Sequence, residues 1–385
     1  MTSATIKHDF WVDYNKSILW YIAILLGLGV VMVASVTFEL IADDAFHYTI
    51  KKLSYMGLSL ILATIICFVP ASTIFNRGGS LVFVSFIFLL IVFLPMIGKE
   101  VKGSHRWLDF QFFTVQPSEF VKLFMIIFVA DYIGRHFERM STSPWEFVKP
   151  LVVGTVVAGL LIIQPDYGTA VVILAIMFGM LFLAPVRLIH FLPLVILSGL
   201  VLLVVMIVAP YRMQRILIFM DPWQDRYGAG FQLIESLIAI KNGGWFGVGL
   251  GDSIQKLSYL PEAHTDFILA IIAEELGIIS VCLLILLFCF LTRSCFLIAK
   301  RAYKQGFLTY TFYAYGVGIW IFVQFLINAA VVLGCLPTKG ITLPFVSAGG
   351  SSLMALILAM AILMRINYEI SISTHHTKSG LRYGH

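Results

Sequence analysis

Apolar runs of about 18 to 22 residues, the length that carries a helix across a ~30 Å hydrocarbon core, recur through most of this chain. Lipid supplies no water to satisfy a bare backbone, so runs of this kind are restricted to helices. Ten spans are read along the chain, over 18–38, 51–70, 80–97, 117–133, 150–164, 167–184, 189–209, 265–291, 308–334 and 350–369. The expected fold is all-α: a polytopic membrane protein of about ten transmembrane helices, with a long extracytoplasmic loop between spans seven and eight. A soluble protein with a very apolar core is excluded, because 60% of the 385 residues are hydrophobic and only 12% are charged, too little charge for a soluble domain.

The domain plan is a cytoplasmic N-terminal tail over 1–17, a ten-span domain over 18–370 with its large outer loop at 210–264, and a cytoplasmic tail over 371–385. The first run is too long for a signal-peptide core and is expected to stay as a span. The loop 292–307 holds Arg293, Lys300, Arg301 and Lys304 with no acid, a cytoplasmic signature that places 259–266 outside. The formal charge of +5 comes with no basic stripe or RNA-binding motif, so no nucleic-acid partner is expected. Cys67, Cys282, Cys289, Cys295 and Cys335 have neither zinc nor disulfide spacing and read as buried free thiols.

Ionisable groups in lipid persist where they face a cavity, a partner charge or a substrate. Glu262, His264 and Asp266 stand where a loop enters span eight, with Glu274 and Glu275 about two turns deeper. Glu274 is offset from Asp266 by about 80° around a helix and is placed to line a deeper pocket, whereas Glu275 faces another helix. Glu119 and Lys122, spaced i, i+3 after Pro117, read as an interfacial ion pair. Phe231 to Ile240 has helical apolar spacing and reads as an interfacial helix on the outer surface. The glycine run Gly243 to Gly251 reads as a tight turn for close backbone packing. Leu336 to Ser352, with two prolines, three glycines and Lys339, reads either as a plain connecting loop or, on its apolar content, as a re-entrant segment that lines a cavity or is buried in protein.

No nucleotide-binding, haem or Ser-His-Asp signature is present, so a reaction here needs a substrate carrying its own leaving group. Asp266 and Glu119 are the candidate bases; Lys122, Arg106, Lys102 and Lys339 are the candidate cations. Capping of span eight by Thr265 or Asp266 is weighed above a metal site at Glu262, His264 and Asp266. No cofactor is called for, a divalent cation being left open.

The motifs Lys102-Gly-Ser-His-Arg-Trp-Leu, Gln116-Pro-Ser-Glu119, Gln164-Pro-Asp-Tyr-Gly-Thr169, Gly228-Ala-Gly-Phe-Gln232, Tyr259-Leu-Pro-Glu-Ala-His-Thr-Asp-Phe267, Glu274-Glu-Leu-Gly277 and Leu336-Pro-Thr-Lys-Gly-Ile-Thr-Leu-Pro-Phe345 resemble, in order, the SEDS family (shape, elongation, division and sporulation). The resemblance spans about residues 18–369 and is to the cell-division branch. It implies a ten-span peptidoglycan glycosyltransferase that polymerises lipid II, an undecaprenyl-diphosphate-linked disaccharide pentapeptide. The work would be done at the outer face of the bacterial cytoplasmic membrane, at the division septum. It makes Asp266 the family's essential acid and candidate general base, with Glu119 and Lys122 lining the same cavity. It implies as partners a class B penicillin-binding protein and other divisome membrane proteins. The sequence departs from the family pattern at Ala348, Glu235 and Ala329-Ala330, which bears on packing of the re-entrant segment. A lipid II flippase and a non-catalytic divisome scaffold are the competing readings.

Overall fold

Backbone satisfaction dictates the elements. The computed structural model describes residues 5–38, 47–94, 98–101, 104–109, 113–208, 213, 215, 218–228, 230–257 and 260–380. In chain order the helices are α1 (Thr5–Thr37), α2 (His47–Phe68), α3 (Ala71–Phe75), α4 (Gly78–Ile91), α5 (Pro117–Thr142), α6 (Pro144–Ile163), α7 (Tyr167–Phe182), α8 (Leu188–Val208), α9 (Phe231–Gly243), α10 (Ile268–Lys304), α11 (Leu308–Val332) and α12 (Gly350–Gly380). Each of the ten expected runs falls on one of them. Among the described residues, seven helices are long and apolar enough to cross a membrane, α4 and α7 are apolar but shorter, and α5 carries charge along its 26 residues.

Burial separates centre from periphery. In α12, 72% of the most apolar window is inside the protein, against 6% in α8. The α12 helix packs on α2 and α5, and α11 packs on α5, α7 and α10. The α8 helix leans on α7 through Phe191, whose ring meets those of Phe178 and Phe182.

Local signals set several helix starts. Pro117 opens α5 at a position where a missing N–H costs nothing, and Glu119 sits in that first turn. Asp166 caps α7 by accepting from Thr169 N at 3.4 Å.

Five features differ from the sequence expectation. Residues 98–115 are not simple loop: β1 (Gly98–Val101), β2 (Ser104–Asp109) and β3 (Thr114–Val115) form an antiparallel sheet in that order, with Leu108 opposite both Gly98 and Val115. Tyr55 pins β3, accepting from Thr114 N at 3.0 Å and donating to Thr114 O at 2.8 Å. The α10 helix runs on to Lys304, so the basic stretch from Arg293 is helical. The expected C-terminal tail likewise continues α12 to Gly380. The cysteines are free, yet only Cys295 is buried and Cys282, Cys289 and Cys335 are exposed; thiols on a lipid-facing surface lose little by it.

The fifth difference concerns span eight and the segment before it. Gly277 breaks α10 with φ 77° and ψ 174°, a region open essentially only to glycine. The groups released by the break are taken up by the glycine run. Val248 N donates to Glu274 O at 2.9 Å, Gly249 N to Glu275 O at 3.1 Å, and Ile278 N to Gly244 O at 2.9 Å. Two irregular backbones thus satisfy each other where water cannot. The α9 helix delivers this run and is embedded rather than lying on a surface. Its Leu233, Ile234, Glu235, Ser236 and Ala239 are buried, and Ser236 Oγ donates to Val332 O at 2.9 Å.

Candidate active site

The turn before α10 carries the central acid. Glu262 adopts φ +58°, which turns its carbonyl toward three successive amides: those of Thr265, Asp266 and Phe267 donate to it at 3.1, 3.1 and 3.3 Å. This carbonyl gathers the amides entering the helix, and the N-cap residue is Phe267 with no side-chain cap. The expected capping by Thr265 or Asp266 is therefore replaced by a backbone device. Thr265 Oγ1 instead donates to Glu262 Oε2 at 3.0 Å. Asp266 itself is half-buried.

The re-entrant segment 336–349 lies directly against this turn. Ser347 Oγ donates to Thr265 O at 2.6 Å, and Ala348 N donates to His264 O at 3.0 Å. That second bond uses backbone alone, so alanine at 348 leaves the clamp in place. A methyl placed on Gly340 would lie 3.0 Å from Asp266 Oδ2; the carboxyl occupies the space that a side chain there would fill. From below, the buried Lys52 of α2 donates to Val346 O. Phe345 beside it holds φ +63°, so the bond fixes the residue that follows a strained one.

Lys339 follows the same segment to the start of α7, where its ammonium sits 3.8 Å from the Tyr167 ring centroid. Ile341 packs on Gly168 one residue further on. Arg106, on β2, reaches the preceding turn: Nε donates to Gln164 O at 3.3 Å, and a terminal nitrogen donates to Pro165 O. Asp166, next in line, accepts from Ser118 Oγ at 3.1 Å. Arg106, Lys339 and Asp266 are therefore referenced to one frame of turns, although they come from three separated segments. His264 flanks that frame with its ring 4.4 Å from that of Tyr48.

Glu119 and Lys122 lie beneath this frame. Lys122 Nζ sits 2.9 and 2.8 Å from the two Glu119 oxygens and donates to Gln324 Oε1 at 2.9 Å, with the Trp320 ring 5.2 Å away. Gln324 passes the chain upward, donating to Thr342 O at 3.0 Å and to Ser352 Oγ at 3.4 Å. Both charged residues are buried, so Lys122 does not snorkel. It forms the base of a polar column that rises into the re-entrant segment.

Glu274 turns away from this frame. Its carboxylate accepts from Ser253 Oγ and from Gln255 N, so it anchors the stretch returning from the glycine run rather than lining a pocket with Asp266. Glu275 pairs with Lys256 at 3.3 Å and accepts from Ser35 Oγ of α1 at 2.7 Å, the other-helix pairing its position indicated. Lys102 lies outside the described residues. Among the described residues, no three of His, Cys, Asp and Glu come together as a set able to hold a metal ion.

Sequence reasoning gave no role to Lys52, Gln324, Asn328 or Ser347. Only the fold shows that Gln324 and Asn328 face backbone carbonyls that would otherwise be bare.

Comparison with known proteins adds an independent line. The pattern of the FtsW/RodA/SpoVE cell cycle proteins matches residues 16–372. A Coxiella burnetii protein named as a probable peptidoglycan glycosyltransferase FtsW is 44% identical over 349 residues, spanning 90% of this chain and 94% of its own. One solved chain, from work on how a peptidoglycan synthase complex coordinates polymerization and crosslinking, superposes with a TM-score of 0.74 at 28% identity. It covers 92% of this chain and 97% of its own. The Thermus thermophilus rod shape determining protein RodA superposes with a TM-score of 0.67 at 25% identity, over 91% of this chain and 96% of its own.

Proposed function

From a chain that belongs to the FtsW/RodA/SpoVE family of cell cycle proteins, we infer a lipid II polymerase whose general base is Asp266. The protein is a multi-pass membrane peptidoglycan glycosyltransferase. In this reading the sugar 4-hydroxyl of an incoming lipid II gives its proton to the Asp266 carboxylate. Its oxygen attacks the anomeric carbon of the growing strand. The bond from that carbon to the diphosphate breaks, the electron pair leaves with the undecaprenyl diphosphate, and the configuration inverts in the single displacement. The substrate carries its own leaving group, so no nucleotide is consumed.

The observation that carries the reading is the convergence of Asp266, Lys339 and Arg106 on one frame of turns. A base needs to come within hydrogen-bond reach of the proton it takes, and the Asp266 carboxyl lies half-buried against Gly340. Cations held at the 164–167 turn stabilise charge that develops on the diphosphate oxygens. Lys339 and Arg106 take that role. Glu119 and Lys122 act from below by holding the column on which the re-entrant segment rests. Glu262 and His264 shape the rim, and Glu274 anchors the stretch that returns from the glycine run.

We place the reaction at the outer face of the cytoplasmic membrane and at the septum, with a class B penicillin-binding protein crosslinking the new strands beside other divisome proteins. The test is polymerisation of labelled lipid II by purified protein and that partner in detergent, where no membrane separates two sides. Glycan strands are the expected product. Their absence with an intact complex would overturn the reading in favour of a flippase, since transport alone makes no polymer.

A further inference from the structure

The candidate base and the candidate cation reach the site on separate segments, so something must set their relative position. Asn328, on α11, is almost completely buried and touches both. Its Nδ2 donates to Asp266 O at 2.8 Å and to Ile341 O at 2.7 Å. With two carbonyl oxygens at one nitrogen, the amide orientation is determined. Flipped, it would turn its own oxygen on two acceptors. The Oδ1 is buried and has no partner among the described residues, so the side chain serves through its two protons. An aliphatic residue of that size would leave both carbonyls bare, and a carboxylate would repel them. Gly340 completes the arrangement from the opposite side, because a methyl there would press on Asp266 Oδ2 at 3.0 Å.

We propose that Asn328 is a positioning residue. It ties the backbone of Asp266 to that of the re-entrant segment, so that the carboxyl and Lys339 face the same reacting centre. The proposal rests on Asp266 being the base. A displacement of the order of 1 Å at a reacting group costs on the order of 10²-fold in rate. It need not change how the remote lipid and peptide portions of the substrate bind, so kcat should fall while KM holds.

The experiment compares wild type with Asn328→Ala, Asn328→Asp, Gly340→Ala and Asp266→Ala, each in complex with the partner penicillin-binding protein. Initial polymerisation rates against lipid II concentration give kcat and KM per folded molecule, folded amounts being set by gel filtration. For both Asn328 variants and for Gly340→Ala, kcat is expected to drop about 10- to 100-fold with KM within about twofold. Gly340→Ala crowds the carboxyl without touching the amide bonds, so it tests the placement of Asp266 separately, and Asn328→Asp decides the role of Asn328 if Asn328→Ala fails to fold. Wild-type kcat in Asn328→Ala and Gly340→Ala, beside an inactive Asp266→Ala, overturns the clamp and leaves the base standing. A rise in KM that accounts for the whole loss also overturns it. Activity retained in Asp266→Ala overturns the base and the clamp together.

Discussion

Glu119 and Lys122 meet where neither has water to fall back on, and each holds the other's charge in place. Removing one member of a buried pair leaves the other uncompensated, at a cost of about 3–5 kcal/mol, whereas removing both is often close to neutral. Glu119→Gln and Lys122→Met are therefore each expected to lower the thermal unfolding midpoint in detergent, and the double variant to recover part of the loss. Singles as stable as wild type would show that the pair carries no structural weight. At this scale the sequence was most legible where charge met lipid. Asp266, Glu119 and Lys122 stand out because a carboxylate or ammonium at a span end needs a reason. Spacing gave Lys122 a face but not its burial against Gln324. Asn328 and Gln324 were illegible for a different cause: an amide in an apolar run is cheap enough to pass as incidental, and their acceptors at Ile341 and Thr342 belong to a segment whose path no periodicity encodes.

Among elements, α10 shows what hydropathy cannot see. Leu276, Ile278 and Ile279 continue the apolar run across Gly277, so composition reports one helix while a single backbone conformation makes it two. The glycine run was legible as a close-packing turn because its composition fits nothing else, yet its partner is visible only in the backbone bonds that span the break. Gly277→Ala forces an L-residue into a region it avoids and drives a methyl into the Trp245 and Gly247 backbone. It is expected to cost at least about 2 kcal/mol, read as a lower unfolding midpoint and a smaller folded fraction on gel filtration. An unchanged midpoint would mean that the break is not a fixed feature of the fold. The sheet over 98–115 was illegible because three short strands with little alternation resemble any polar loop.

For the whole molecule, the apolar runs determined the class, since a chain this poor in charge has few ways to satisfy its backbone. Where the helices sit relative to one another follows from the polar bonds between them. The column from Glu119 to Thr342, the anchor from Lys52 to Val346 and the bonds from 347–348 to the Asp266 turn all end on the re-entrant segment. That segment is the junction on which α2, α5, α11 and the start of α10 meet, and it carries Lys339 next to Gly340, against which Asp266 lies. A frame so bonded is suited to holding charges still while bonds are exchanged, which favours a transferase over a carrier that must rearrange around its cargo. The measurement that tests this most directly is polymerisation of labelled lipid II by the intact complex with its penicillin-binding partner, wild type against Asp266→Ala at equal folded amounts and with the partner alone as control. Strands from wild type and none from the variant are predicted; strands from both in equal yield would contradict Asp266 as the base and, with it, the chemistry assigned to this site.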